Sequence, residues 1–228
     1  MRLDKYLSKG LNISRTDAKK IIKSNLVRVE SITKPKADLI VKGQTVLYKN
    51  EPVVLPGNVY ILLNKPSGYI CSTQDEVYPS ALKLVDSINC NQLHFAGRLD
   101  VDTTGLVLIS NDGEWTHRIT SPRKKCSKQY NVELADPVSD ESIKSLENGI
   151  LLKGESKATR KCVIQRLADS RVLIEISEGK YHQVKRMFAA VGNRVTALQR
   201  IKVGGLDLSE LEVGEWRYLE KDEVKSFE

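Results

Sequence analysis

What this 228-residue chain lacks narrows it first. Its longest unbroken apolar stretches, Val59–Leu63 and Met187–Val191, are five residues each. A membrane-spanning helix needs roughly 20. The N-terminus shows no apolar signal-peptide core. Cysteine is sparse: Cys71, Cys90, Cys126 and Cys162 are far apart, without a Cys-x-x-Cys pair or a His-rich cluster beside them. Neither a structural metal site nor a disulfide framework is expected. No Gly-rich phosphate loop stands at a strand–helix junction, which argues against a nucleotide-cofactor domain. The expectation is a soluble, cytoplasmic protein with no membrane association.

What is present is uneven charge. Residues 1–58 hold 12 Lys/Arg against 5 Asp/Glu, whereas residues 59–228 hold 24 of each, so the whole net charge of +7 belongs to the first quarter. A compact basic block points to a polyanion partner, because each phosphate neutralised releases counterions. The plainer reading is a well-solvated surface. Within the block, Leu3, Tyr6, Leu7 and Leu11 recur at helical spacing and predict a helix over 2–10. Ser14 opens a second helix, with Asp17 three residues on as an imperfect capping box. Ala18, Ile21 and Ile22 form its apolar stripe, and Arg15, Lys19 and Lys23, four apart, align on one exposed face. Like charges at that spacing oppose the helix, a cost that a ligand anion would offset. Leu26–Val29, Leu39–Val41 and Thr45–Tyr48 read as short strands. Residues 51–58, with Pro52, Pro56 and Gly57, read as a linker. The expected domains are therefore 1–50, a linker over 51–58, and 59–228.

The larger part is α+β with a mostly antiparallel sheet. Strands are expected at Val59–Leu63, Leu106–Ser110, Gln129–Leu134 and Val172–Ile176, and helices near Ser80–Asp86, Asp140–Asn148 and His182–Val191. The informative stretch is HFAGRLDVDTTGLVLISNDG, His94 to Gly113. Gly97 and Gly105 bracket a loop holding Arg98, Asp100 and Asp102; an apolar strand follows, and Asn111-Asp112-Gly113 closes it with hairpin chemistry. A carboxylate among apolar walls needs a nearby cation to stay ionised. Asp100 can equally be a turn cap. Paired with Asp102 it could serve a glycosidase, and a metal site would need further ligands that are not nearby. Arg118, Arg123, Lys124, Lys125 and Lys128 share a stretch without acids, as do the six Lys/Arg from Lys180 to Lys202, while acids gather after Leu206. Lys124 and Lys125 are thereby placed on a positive side suited to a polyanion.

The first 48 residues resemble the alpha-L, S4-like RNA-binding motif. The His94–Gly113 string, together with LNKPSGYICST (63–73), SKQYNVEL (127–134) and ISEGKYHQVKRMFAAVGNRV (176–195), resembles the motifs of pseudouridine synthases. The Tyr-His-Gln-Val-Lys-Arg-Met wording and the small basic N-terminal domain are most similar to the RsuA type, which acts on small-subunit (16S) ribosomal RNA. That resemblance implies isomerisation of a uridine in RNA, with no cofactor because no electrons or groups enter or leave. It implies Asp100 as the essential carboxylate, Tyr130 as a stacking face for a flipped-out base, and Lys185 as the cation paired with Asp100. Arg186 is a rival for that pairing and is also assigned to RNA. Arg98 is implied to meet RNA at the gap left by the extruded nucleotide, with Arg15, Lys19 and Lys23 as further RNA contacts. His182 and Gln183 fit the family string without a derived role, and His94 and His117 read as structural. The implied partner is ribosomal RNA or a small-subunit assembly intermediate, met by a monomer. The alternatives are a synthase of large-subunit RNA and a non-catalytic RNA-binding assembly protein.

Overall fold

The structure, a computed structural model, describes residues 1–85 and 93–228. Cys90 and Asp86, the expected end of one helix, lie outside them. The chain forms two compact units, Met1–Asn58 and Val59–Glu228.

In the first unit, α1 (Leu3–Gly10) and α2 (Arg15–Lys23) precede β1 (Val27–Val29), β2 (Val46–Tyr48) and β3 (Glu51–Pro52). Ser14 caps α2 by accepting the Asp17 N–H at 3.1 Å. Leu3, Leu7, Ala18, Ile22, Val27 and Val46 build its core. Two expectations change. Leu39–Val41 joins no strand ladder: the Leu39 carbonyl accepts the Leu3 N–H at 2.8 Å, so this segment closes the start of α1. The start of the expected linker is instead an edge strand, because Lys49 and Asn50, at φ 53° and 69°, turn the chain back onto β2. Pro52 is tolerated on an edge, where no donor is needed outward, and Val53 is buried.

The second unit is a sheet of order β12-β4-β6-β10-β7-β9-β8, with β5 (His94–Phe95) on β6 and β11 (Leu206–Asp207) on β10. Its strands are β4 (Tyr60–Lys65), β6 (Thr104–Ser110), β7 (Lys128–Leu134), β8 (Val163–Ala168), β9 (Arg171–Ile176), β10 (Val195–Val203) and β12 (Trp216–Tyr218). Every pairing between these strands is antiparallel except β6 with β10. In β4 and β6 alternate residues go to two separate cores, Ile61, Leu63 and Val107 to one, Leu62, Leu106 and Leu108 to the other. Burial on both faces explains their unbroken apolar runs. β7 buries one face only, which explains its alternation of Lys128, Tyr130 and Val132 with Gln129 and Asn131.

The helices are α3 (Gly113–Thr120), α4 (Asp140–Asn148), α5 (Gln183–Ala190) and α6 (Lys221–Lys225), and Ala81–Leu84 is a short 3-10 turn. Asn111-Asp112-Gly113 is not a hairpin turn. Asp112 is the N-cap of α3, accepting the N–H groups of Glu114 and Trp115 at 3.0 and 3.2 Å. Asp serves both turn types, and buried Trp115 decides between them. Among the described residues, no helix is long and apolar enough to cross a membrane.

Candidate active site

Asp100 lies on the loop between β5 and β6, and three buried side chains hold that loop. Arg200 of β10, 2% exposed, donates from Nε to the Leu106 carbonyl at 2.7 Å and from Nη2 to the Gly97 carbonyl at 2.9 Å. The Cys71 sulfur accepts the Leu99 N–H at 3.3 Å. Lys65, fully buried, donates to the Pro66 and Tyr69 carbonyls, both at 2.8 Å, and to the Val101 carbonyl at 3.4 Å. Burial lowers the Lys65 pKa, and Cys71, Asp102 and Asp100 only partly oppose it. The Lys-Pro-x-Gly segment therefore anchors the Asp100 loop from below. Gly105, at φ 101°, passes directly over the Arg200 backbone, where any Cβ would collide with its carbonyl oxygen.

Around Asp100 two nitrogen-bearing side chains approach one carboxylate. Lys185 Nζ of α5 donates to Oδ2 at 3.1 Å and also to Asp102 Oδ1 at 2.6 Å. His182 Nε2 lies 3.3 Å from Asp100 Oδ1. Burial would lower the Lys185 pKa, but its bonds to Asp102 and Asp100 outweigh that and raise it. For Asp102, burial pushes upward and Lys185 wins, leaving the carboxyl below its ordinary range. The two carboxylates differ in setting. Asp100 lines a cleft of about 400 Å³; Asp102 is 66% exposed and does not line it. Tyr130, Arg98, Phe95 and Leu198 line the same cleft, with Tyr130 buried and Arg98 exposed. A cavity of this size falls within the range of small-ligand sites.

The structure separates Lys185 from Arg186. One helical step turns Arg186 away from Asp100, and its guanidinium binds Glu155 Oε1 at 3.0 Å and the Lys153 and Tyr181 carbonyls at 2.7 and 2.9 Å. Lys180 joins the same Glu155 at 2.7 Å. Lys180, Lys185, Arg186 and Arg200, four of the six cations expected on an RNA face between 180 and 202, thus have partners inside the protein. Arg186 straps the 153–155 segment to α5, so Lys185 and not Arg186 is the residue that meets Asp100. Gln183, 5% exposed, ties Glu178 to the Lys180 backbone.

His182 is the site residue that sequence reading left without a role. Its φ of 46° turns the chain into α5, and its ring stacks on Tyr181 at 3.8 Å. The signal was its position three residues before Lys185, which puts both on one side of the helix entrance.

The expected cations of the first unit divide. Arg15 is bound to buried Asp4 at 2.7 Å, whereas Lys19 and Lys23 are exposed and in no ion pair among the described residues. They line a depression of about 390 Å³ with Lys34 and Lys36, two further cations that helical spacing could not reveal. Lys124 and Lys125 are exposed on and just after the Pro122–Lys124 turn.

Residues 59–190 match the family model for RNA pseudouridylate synthase, and residues 1–36 match the S4 domain. The chain belongs to the RNA pseudouridylate synthase family and is an RNA pseudouridine synthase with an N-terminal S4 domain. It is 45% identical over 228 residues to the ribosomal small subunit pseudouridine synthase A of Vibrio cholerae, covering 99% of both chains. The protein of the same name from Escherichia coli strain K12 is 44% identical over 229 residues, again with 99% of each chain covered. A pseudouridylate synthase crystal structure superposes with a TM-score of 0.74 at 43% identity, over all of this chain and 99% of that one.

Proposed function

We propose that this chain converts a uridine of small-subunit ribosomal RNA to pseudouridine, with Asp100 as its essential carboxylate. The observation that supports this reading most directly is the Asp100 carboxylate at a cleft wall, gripped by Lys185 on one oxygen and facing His182 on the other. Nucleophilic or base action requires a charged carboxylate, and the Lys185 ammonium supplies the opposite charge beside it.

The target nucleotide leaves its stack and enters the cleft, and its base lies against Tyr130. Arg98, exposed at the mouth, faces the strand from which the nucleotide came. The C1′–N1 bond then breaks with its electron pair passing to the uracil, while Asp100 supplies its charged oxygen to the reacting nucleotide. The detached uracil turns, C5 bonds to C1′ with that electron pair, the C5 hydrogen departs to water as a proton, and N1 takes up a proton in its place. Lys19, Lys23, Lys34 and Lys36 of the S4 domain, with Lys124 and Lys125, hold flanking phosphates. Arg15 adds a partly exposed charge to the same helix. The partner is ribosomal RNA or a small-subunit assembly intermediate in the cytoplasm, met by a monomer.

Release of tritium from small-subunit RNA labelled at uridine C5 tests the reading. Wild-type protein is expected to release it and Asp100→Asn is not. Tight RNA binding without release by wild type would instead define a non-catalytic binder. Pseudouridine mapping in a deletion strain should show one small-subunit position reverting to uridine; reversion only in the large subunit would overturn the substrate assignment.

A further inference from the structure

The floor of the cleft carries two cations that the chemistry described so far does not use. In the β7–β10 ladder, Arg200 is the direct cross-strand neighbour of Tyr130, and Lys128 lies two residues along β7 on the same face as Tyr130. Both line the cleft, and both are nearly buried, at 2% and 9% exposure. Neither has an acid partner among the described residues. Lys128 Nζ donates only to the Cys126 and Ile119 carbonyls, at 2.7 and 3.3 Å, leaving one of its three N–H donors. Arg200 donates only to carbonyls, those of Leu106, Gly97 and Arg98. Of the cleft's carboxylates, Asp100 meets Lys185 and His182, and Glu178 Oε1 accepts from the Arg160 N–H and the Gln183 amide, with no ion pair to Lys128 or Arg200 among the described residues. Burial lowers the Lys128 pKa, the Cys126 thiol opposes this, and Arg200 adds to the fall.

Buried charge without a counter-charge is costly, and sites tolerate it where negative charge arrives in the working cycle. The depth of these two residues decides which charge that is. A backbone phosphate stays with its strand at the mouth, whereas the extruded base reaches the floor beside Tyr130. We propose that Lys128, with Arg200 beside it, stabilises the negative charge that collects on the uracil ring when its bond to the ribose breaks. The electron pair of the C1′–N1 bond spreads over N1 and the two ring carbonyl oxygens, and an N–H of Lys128 binds one of those oxygens. The pair returns to C1′ through C5, so no charge remains on the product. This inference rests on the synthase reading above and assigns Lys128 a catalytic part in it.

The test compares Lys128→Met and Lys128→Arg with wild type in single-turnover reactions. The substrates are small-subunit RNA carrying uridine or 5-fluorouridine at the target, with loss of the original N-glycoside as readout. Fluorine makes uracil a better leaving group, so less stabilisation is needed. Lys128→Met should lower the uridine rate about 10²–10³-fold with RNA affinity unchanged. It should lose distinctly less with 5-fluorouridine, and Lys128→Arg should recover most of the rate. Equal losses on both substrates, a loss confined to RNA affinity, an arginine variant as slow as the methionine one, or a full-speed Lys128→Met would each overturn the proposal. If instead Asp100→Asn also ran at full speed, or wild type failed to act, the synthase reading itself would fall, independently of Lys128.

Discussion

Asp4 and Asp100 are each approached by two nitrogen-bearing side chains, and they behave differently. Asp4 in the S4 domain has a fully buried side chain, bound to Arg15 at 2.7 Å and Arg2 at 3.2 Å, and its Oδ1 also accepts the Lys5 N–H at 2.9 Å. Asp100 in the synthase domain keeps 27% of its side chain exposed and stands at the edge of a cleft. Its lysine is shared with Asp102, so the grip is divided. Asp4 is closed to any further partner and ties α1 to α2. Asp100 is held in place and still open on one side, which is what a reacting group needs. Proximity of opposite charges does not distinguish structure from chemistry; a place on the cleft wall does.

Substitution at the open carboxylate should have the largest effect. Asp100→Asn should reduce single-turnover pseudouridine formation by on the order of 10⁴-fold while leaving the melting temperature within a few degrees of wild type. A fall in stability with activity retained would make Asp100 another Asp4. Lys185→Met should cost about 10²-fold in rate, and Lys185→Arg less, measured in the same assay. Because the Lys185 pKa is raised above its ordinary 10.5, the ammonium is fully present below that value and is lost only as pH rises through the higher one. Activity between neutral pH and pH 9 should therefore show no loss that Lys185→Arg abolishes.

Asp4→Asn should do the opposite of Asp100→Asn: roughly 1–2 kcal/mol less stability by denaturant unfolding, with the chemical step unchanged. Burial pushes the Asp4 pKa upward, but its bonds to Arg15 and Arg2 prevail and lower it from 3.8. Its stabilisation is thus present above that value and disappears as pH falls through the lowered one. In Asp4→Asn this acid step should vanish from the unfolding profile. The smallest effect belongs to the surface: Lys124→Ala with Lys125→Ala should weaken RNA binding a few-fold and reduce the salt slope by about one for each phosphate no longer neutralised. An unchanged slope would remove this pair from the RNA face.

Local patterns carried much of the fold. The span of α4, the Ser14 cap and the one-sided burial of β7 follow from residue spacing, because each depends on neighbours three or four residues away or alternate ones. Where one residue type serves two local structures, spacing pointed the wrong way. Asp112 is an α3 cap because Trp115 has a core to enter, and Pro52 sits in a strand because that strand is at an edge. Motif order named Asp100, Tyr130 and Lys185, but it could not separate Lys185 from Arg186, and it left His182 without a role.

Those choices are long-range. Lys185 meets Asp100 across 85 residues of sequence, and Arg200 reaches the Gly97 carbonyl across 103. The residue types alone established the basic first quarter, the α+β pattern and the family motifs, since composition and short periodicities are properties of the chain. The rotation of α5, the anchoring of the Asp100 loop by Lys65, Cys71 and Arg200, and the lack of an acid paired with Lys128 among the described residues were settled only by packing. A charge's partner is whichever group the fold brings within about 3 Å, and no spacing rule encodes that.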